Sequence, residues 1–255
     1  MLDLTYPPII ATAKTLFAAL GQKFVMTGTE NVPRTGGALL ACNHIGYADF
    51  VYGGLAANPS GRLVRFMAKK EIFDNPVGGP VMRSMHHIPV DRGDGIGSYK
   101  AAVDYLRQGE VVGIFPEATI SRAMELKEFK NGAVRIAADA GVPVLPVIMW
   151  GTQRILTKDH PRDLSRGRTI SISVGEPMHP TGEDPTAETE ALRNRMVEML
   201  DEVIAAHPAE EQPPGSWWLP ARHGGSAPTL EEAARMDVEE KRERARRRAE
   251  KRKKS

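Results

Sequence analysis

A histidine followed five residues later by an aspartate is the densest chemical signal in the sequence. His44 and Asp49 lie in the segment 43–49, which reads NHIGYAD. A neutral imidazole can accept the proton of an alcohol while the alcohol oxygen attacks a carbonyl carbon. A carboxylate hydrogen-bonded to the other ring nitrogen fixes the tautomer and stabilises the imidazolium ion. The pair is therefore a candidate general base with an orienting partner. The alternative is a structural histidine beside an aspartate that caps a helix.

The spacing of this pair requires a particular backbone. Five residues of continuous α-helix would turn the two side chains about 140° apart, so they cannot share one helix face. We expect His44 to follow a strand over 38–42 and Asp49 to lie in the first turn of the next helix, where the side chains can meet. On such a strand Cys42 would point the same way as His44. That placement permits a cysteine–histidine nucleophile pair, although a small buried cysteine is the commoner situation.

Three further segments bear on this choice: two place polar groups beside apolar runs, and the third opens an apolar strand. They are 88–92 (IPVDR), 115–122 (FPEATISR) and 142–147 (VPVLPV). The first carries an arginine just beyond an expected strand, and the second carries a carboxylate, two hydroxyls and an arginine. Open α/β sheets build their sites at such strand ends. Taken singly, the segments are equally consistent with a surface salt bridge, a turn and a proline-edged strand.

In this order and spacing, the four segments resemble the sequence blocks of the glycerophosphate and lysophospholipid acyltransferase family, the group of 1-acylglycerol-3-phosphate O-acyltransferases. The first block is His-x4-Asp, and the third is usually Phe-Pro-Glu-Gly-Thr-Arg-Ser. The four blocks are matched in order by residues 43–49, 88–92, 115–121 and 142–147. Residues 68–76 (AKKEIFDNP) are similar to the family's stretch ahead of the second block. The resemblance covers about residues 25–205.

The resemblance implies an acyltransferase with His44 as general base and Asp49 as its orienting partner. The donor would be a thioester, either acyl-CoA or acyl carrier protein, and the acceptor the free hydroxyl of lysophosphatidate, giving phosphatidate in phospholipid synthesis. No metal, cofactor or covalent intermediate is implied, because a thioester is already activated. The implied substrate-binding residues are Asn43, Lys69, Arg92, Glu117, Thr119, Ser121 and Arg122. Arg92 suits a phosphate because guanidinium combines charge with paired donors, whereas Glu117 would accept from a glycerol hydroxyl or orient a cation.

The third block departs from the family pattern at two positions. Ala118 stands where the family usually has glycine, and Ile120 stands where it usually has arginine. The missing arginine is a candidate phosphate ligand, and Arg122, Lys69 or Arg92 would have to replace it. Two alternatives stay open: another lysolipid or glycolipid acceptor, or a thioesterase or lipid hydrolase in which the same pair activates water.

The elements that must position these residues alternate along the chain. Short apolar runs predict buried strands at 38–42, 63–68, 88–90, 111–115, 142–149 and 170–174. Helical stretches are expected at 48–57, 97–108, 131–140 and 186–206, with Gly109 and Gly141 suited to helix C-termini. This alternation predicts a single α/β acyltransferase domain over 24–207, with a largely parallel or mixed central sheet flanked by helices.

The two ends of the chain have a different character. Residues 1–23 predict an amphipathic helix whose apolar stripe either packs on the domain core or lies in a bilayer interface, and a lipid substrate favours the interface. Residues 208–255 predict an irregular segment rich in proline and glycine, followed by a basic tail. The charged run from Thr229 is consistent with a solvated helix, but it has no continuous apolar stripe, so we do not expect it to fold independently. The net charge is +2, yet 241–255 hold ten Lys or Arg and two Glu, a balance of +8, which leaves 2 − 8 = −6 for the other 240 residues.

The basic tail predicts attachment to an anionic membrane surface. We expect a peripheral protein on the cytoplasmic face of the cell membrane, since no run of about 18 apolar residues predicts a transmembrane helix and no secretory signal is recognisable. The single cysteine excludes an internal disulfide framework. No nucleic-acid partner is predicted, because the tail lacks interleaved aromatic residues and no nucleic-acid-binding motif accompanies it. The non-enzymatic alternative is a lipid- or nucleic-acid-binding module in which the tail is the functional part.

Overall fold

Seven strands form one mixed sheet in the computed structural model, which describes the backbone of residues 3–91, 93 and 95–254 and their side chains except those of 248 and 251–254. The strands are β1 Lys23–Thr27, β2 Ala38–Cys42, β3 Val64–Lys69, β4 Ile88–Val90, β5 Val111–Ile114, β6 Val144–Trp150 and β7 Thr169–Val174. Their order across the sheet is β1-β7-β6-β2-β5-β3-β4. The strands from β6 to β4 run parallel, whereas β7 is antiparallel to β6 and β1 is parallel to β7. β2 is therefore the central strand, between β5 and β6.

Helices cover both faces of the sheet. Within the described residues they are α1 Tyr6–Ala19, α2 Asp49–Leu55, α3 Lys70–Phe73, α4 Gly78–Ser84, α5 Gly95–Arg107, α6 Gly132–Ala140, α7 Pro185–Ala206 and α8 Leu230–Lys254. Successive strand side chains point to opposite faces, so Leu39 and Ala41 of β2 join the core under α5, α6 and α7. Leu40 and Cys42 join the core under α1 and α2. Coverage on both faces explains why the central strands read as unbroken apolar runs.

The predicted α/β class is confirmed, and β2 and β4 have the predicted bounds. β1, α3 and α4 were not predicted. β1 is an edge strand whose residues alternate between exposed and half-buried, so it has no continuous apolar run. α3 and α4 contain four and seven residues, which is too short for a helical apolar period to show.

The N-terminal helix α1 is attached to the domain by aromatic contacts. Tyr6 and Phe17 are buried, and Phe17 stacks on Tyr52 of α2 with ring centroids 5.0 Å apart. Leu16, on the same helix, is 54% exposed. α1 therefore packs on the domain core, as one of the two alternatives expected, and it still exposes apolar surface that a bilayer interface could cover.

The C-terminal region contains a long helix after the segment rich in proline and glycine. Residues 230–254 form a helix, α8, and the segment before it packs on the domain through Leu219 and Ala227, which lie in the same core as α7. α8 has no apolar stripe, and its turns are joined instead by ion pairs four residues apart, such as Arg235 with Glu231 at 3.3 Å. Among the helices that the structure describes, none is both long enough and apolar enough to cross a bilayer.

Candidate active site

Three strand ends meet at the carboxyl edge of the sheet. His44 follows β2, Glu117 follows β5 and Thr152 follows β6. Because β2 lies between β5 and β6, and neighbouring strands are about 4.8 Å apart, the residues after these strands come together although they are distant in sequence. The site is therefore built around the central strand, where a parallel sheet is expected to bind ligands.

His44 and Asp49 are joined as the sequence predicts. His44 Nδ1 lies 3.0 Å from Asp49 Oδ2, and Asp49 is the first residue of α2. An ionised carboxylate can only accept hydrogen bonds, so Nδ1 carries the hydrogen and Nε2 the lone pair. Among the described residues Nε2 has no hydrogen-bond partner, and the side chain is 20% exposed. The imidazole is thus arranged to accept a proton from a molecule entering the site.

Four donors hold the Asp49 carboxylate, which is fully buried. Besides the His44 ring, Oδ2 accepts from the backbone N–H groups of Ile45 and Gly46, both at 2.7 Å. Oδ1 accepts from the Thr152 hydroxyl at 2.7 Å. A Cβ atom at Gly46 would lie 3.1 to 3.2 Å from three oxygen atoms, so glycine lets the turn close tightly over the carboxylate. Thr152 was not predicted, since only the fold brings the end of β6 to Asp49.

Aromatic rings line the His44 side chain. Phe115 stacks on the imidazole with ring centroids 4.2 Å apart and planes at 24°, and Phe66 stacks on Phe115 at 5.6 Å. Cys42, in contrast, is fully buried in the core under α1 and α2, and this burial raises the pKa of its thiol far above the ordinary value. A buried, protonated thiol is a poor nucleophile, so the geometry favours a general-base histidine over a cysteine–histidine pair.

Asn43 has a different position from the one expected of a substrate ligand. Its side-chain oxygen accepts from the backbone N–H of Met149 at 2.7 Å, and its side-chain nitrogen donates to the Met149 carbonyl at 3.0 Å. Asn43 is fully buried, and both ends of its amide are occupied. It therefore joins β2 to β6 beyond the end of their ladder and fixes the backbone immediately before His44.

Glu117 also acts on the backbone around His44. Its carboxylate accepts from the His44 backbone N–H at 2.8 Å and from the Lys127 backbone N–H at 3.1 Å. Burial raises the pKa of Glu117 to about 7, although these two N–H groups and the nearby charges act in the opposite direction. In this structure Glu117 positions His44, and neither oxygen is directed to a glycerol hydroxyl.

The buried carboxyl of Glu117 makes stability depend on pH. Its folded-state pKa of about 7 lies above the ordinary 4.5, so between those values the folded state holds a proton that the unfolded state has lost. The free energy of unfolding should therefore fall as the pH rises from about 4.5 to about 7, by about 3 kcal/mol from this group. Urea unfolding of the wild type and Glu117→Gln across this range checks the prediction, because glutamine does not titrate. Parallel pH profiles for the two proteins would contradict it.

The rest of the third block wraps around His44. The Ser121 N–H donates to the His44 carbonyl at 2.8 Å, and the Ser121 hydroxyl is fully buried without a partner among the described residues. Ala118 has a φ of 59°, in the left-handed region that costs a non-glycine residue about 1–2 kcal/mol. This conformation explains why glycine is usual at that position. Ile120, where arginine is usual, is 4% exposed and apolar.

Arg122 is not directed to the His44 ring. Its guanidinium forms ion pairs with Asp159 and with Asp237 and Glu240 of α8. Lys127 and Lys158, which the sequence did not single out, share these α8 carboxylates, and the Thr119 hydroxyl accepts from Lys127 Nζ. The second half of the third block therefore lies in a cluster of cations covered by the C-terminal helix.

Of the two remaining predicted residues, Lys69 lies toward the β4 edge of the sheet. Lys69 is the last residue of β3 and pairs with Glu71 at 3.0 Å at the surface. Arg92 lies outside the described residues. The strand before it, β4, is the edge strand, separated from β2 by β5 and β3.

Comparisons with known proteins find acyltransferases of similar sequence. The family model described as Acyltransferase matches residues 23–150. The 1-acyl-sn-glycerol-3-phosphate acyltransferase of Bacillus subtilis is 34% identical over 178 residues, covering 67% of this chain and 84% of that protein. A chloroplast 1-acyl-sn-glycerol-3-phosphate acyltransferase of Arabidopsis thaliana is 31% identical over 183 residues, covering 70% of this chain but 49% of that protein.

A solved structure supports the fold. The crystal structure of the 1-acyl-sn-glycerophosphate acyltransferase from Thermotoga maritima superposes with a TM-score of 0.66 at 24% identity, covering 79% of this chain and 80% of that one. The matched segment of the family model contains β1 to β6 and therefore every strand end that forms the site. The chain belongs to the acyltransferase family.

Proposed function

We propose that the protein transfers a fatty-acyl group from a thioester to the free hydroxyl of lysophosphatidate, giving phosphatidate. The observation that carries this proposal is the His44–Asp49 pair. His44 Nδ1 lies 3.0 Å from Asp49 Oδ2, so the lone pair of His44 Nε2 is available to accept a proton. The relatives named as 1-acyl-sn-glycerol-3-phosphate acyltransferases support the choice of acceptor.

His44 and Asp49 can account for the movement of the proton in this reaction. His44 Nε2 takes the proton of the acceptor hydroxyl as that oxygen attacks the thioester carbonyl carbon. The tetrahedral intermediate then collapses, the carbon–sulfur bond breaks, and the imidazolium returns the proton to the leaving sulfur as a thiol. Asp49 stabilises the imidazolium between these steps, held in place by its four donors. No covalent acyl-enzyme is required.

The acceptor's phosphate and hydroxyls need polar partners near His44. We assign this role to Arg92, Thr119, Ser121 and the cations beside the third block. Support comes from Ser121, whose hydroxyl is buried without a partner although its own N–H is bonded to His44. Buried polar groups normally have partners, and a glycerol or phosphate oxygen would supply one.

One assay separates transfer from hydrolysis and from simple binding. The protein is incubated with lysophosphatidate and either acyl-CoA or acyl carrier protein thioester, and free thiol and lipid products are followed. We expect equal amounts of thiol and phosphatidate, and the faster donor identifies the physiological thioester. Thiol with free fatty acid would instead indicate a thioesterase, and an absence of both products would indicate a binding module.

The protein is also proposed to bind the cytoplasmic face of the membrane peripherally. The exposed apolar surface of α1, with Leu16 at 54% exposure, and the +8 charge of 241–255 supply an apolar and an ionic contribution. Each cation near an anionic leaflet contributes about 1 kcal/mol before screening. In co-sedimentation with anionic vesicles we expect binding at low salt and a smaller, salt-resistant fraction for the full chain at high salt. Protein that remains in the supernatant at both salt concentrations would contradict this proposal.

A further inference from the structure

A cluster of three cations lies under α8, beside the third block. Arg122 Nη2 is 3.0 Å from Glu240 Oε2, and Lys127 Nζ is 3.2 Å from Asp237 Oδ2. Lys158 Nζ is 3.4 Å from a carboxylate oxygen of each acid. The three cations are 7%, 17% and 12% exposed in their side chains, so α8 covers them closely.

This cation cluster is attached to the backbone of the active site. Arg122 comes directly after Ser121, whose N–H donates to the His44 carbonyl at 2.8 Å. The Thr157 hydroxyl, one residue before Lys158, donates to the Ile45 carbonyl at 2.6 Å. Lys127 donates its backbone N–H to Glu117, which also holds the His44 N–H. Arg122 and Lys158 are therefore each next in sequence to a residue that is hydrogen-bonded to the backbone of His44 or Ile45. Lys127 is linked to the His44 backbone through the Glu117 side chain.

The charges in the cluster are those that a phosphate group would need. The three cations carry +3, and Asp159, which is 2.5 Å from Arg122 Nε, offsets one of these charges. Asp237 and Glu240 together carry −2, close to the charge of an ionised phosphomonoester at neutral pH. Arginine and lysine are the usual partners of such groups. The two carboxylates of α8 thus resemble, in charge and in acceptor oxygens, the headgroup of the proposed acceptor.

We infer that Arg122, Lys127 and Lys158 form a binding site for the phosphomonoester of the acceptor, and that Asp237 and Glu240 of α8 occupy this site until an anionic bilayer draws the helix away. The inference rests on the proposed function for the identity of the phosphomonoester. It gives α8 an autoinhibitory role and makes the bilayer both the source of the acceptor and the signal for its use.

The remainder of α8 is suited to this release. From Lys241 to Arg247 every side chain is exposed, so no domain contact competes with a membrane for this run. Lys241 comes four residues after Asp237, and both lie on one continuous helix. Attraction of the basic run to anionic lipid therefore acts directly on the helix that carries the two acids.

The segment before α8 would keep the helix attached during release. Trp217 stacks on His160 with centroids 3.7 Å apart, and Arg154 lies over the Trp218 ring at 4.3 Å. The Gln153 side chain also donates to the Trp218 carbonyl at 3.2 Å. These contacts fix residues 217 and 218 to the region after β6, so α8 can leave the cation cluster without leaving the protein.

The test uses a short-chain, water-soluble lysophosphatidate, so that access to the acceptor does not require a vesicle. The full-length variant Asp237→Asn/Glu240→Gln removes the competing charges and should lower KM for the acceptor by roughly tenfold, a typical coupling between sites. KM for the thioester should not change. The matched control is Glu231→Gln/Glu239→Gln, which removes two exposed acids from the same helix and should behave as the wild type.

Vesicles that lack the acceptor provide the second arm. Phosphatidylglycerol vesicles should lower the wild-type acceptor KM toward that of the double variant, whereas phosphatidylcholine vesicles should not. The variant Lys241→Gln/Arg242→Gln/Arg246→Gln alters only exposed side chains, so it should fold normally and should require a larger anionic fraction for the same effect. This variant keeps the test decisive if the double variant is unstable.

The outcomes separate this inference from the proposed function. If no protein makes phosphatidate under any condition, the proposed function fails. If the wild type makes phosphatidate but neither the double variant nor anionic vesicles lower the acceptor KM, the autoinhibitory role of α8 is wrong and the proposed function stands. An equal effect of a soluble polyanion would show that the tail does not select a bilayer, and would overturn that part of the inference.

Discussion

Replacing His44 by alanine should lower turnover by about 10⁴-fold, the upper range for loss of a positioned general base. The expected reason is that Nε2 is the proton acceptor for the attacking hydroxyl. The fold should persist, since the Asp49 carboxylate keeps its donors from Ile45, Gly46 and Thr152. The measurement is the steady-state rate of thiol release together with phosphatidate formation.

His179→Ala is the matched control, because His179 is exposed and lies on no strand end of the site. It should leave the rate unchanged. Added imidazole should partly restore turnover in His44→Ala, because the removed ring leaves space against Phe115, on which it stacks. Near-normal turnover of His44→Ala without imidazole would show that another group takes the proton.

Asp49→Asn should lower turnover by about 10³-fold through the loss of charge, with the tautomer of His44 retained. Oδ2 of Asp49 accepts from two backbone N–H groups and from His44 Nδ1, so the asparagine oxygen is expected on that side and its NH₂ group toward the Thr152 hydroxyl. The imidazolium then loses an adjacent anion worth about 4 kcal/mol at an effective dielectric constant near 20. A reversed tautomer would cost about 10⁴-fold.

Nitrogen NMR of His44 separates these two explanations. In both the wild type and Asp49→Asn, Nδ1 should be protonated and Nε2 unprotonated when the ring is neutral. A protonated Nε2 in the variant would show that the amide has turned its NH₂ group toward the ring. Full activity in the variant would show that Asp49 only builds the turn.

The sequence predicted the parts of the site that depend on local spacing. The interval between His44 and Asp49 required a strand end followed by a helix start, and β2 and α2 provide them. The central strands were predictable because coverage on both faces leaves unbroken apolar runs. β1 was not predicted because alternate residues of this edge strand are exposed to solvent, so its sequence contains no continuous apolar run.

The parts that depend on tertiary contacts could not be predicted. The Asn43 side chain has the polar groups that could bind a substrate, but its amide is hydrogen-bonded to Met149 and joins β2 to β6. Lys127 and Lys158 belong to no block, and only the fold places them around the acids of α8. The low hydropathy of α8 is consistent with a solvated helix but gives no sign of its contact with the domain, since a helix held by ion pairs has no apolar period to detect.

The pairing of β1 with β7 has a consequence for how the protein is made. Lys23 pairs with Thr169, so 146 further residues must be synthesised after Lys23 before its partner in β7 is present. At about 5–20 residues per second of synthesis, this delay lasts roughly 7–30 s. All four sequence blocks end by residue 147, and yet a chain that stopped there would leave both β1 and the β6 edge without hydrogen-bond partners. Unpaired strand edges promote aggregation, so truncated translation products of this protein should be substrates for chaperones and proteases rather than small working enzymes.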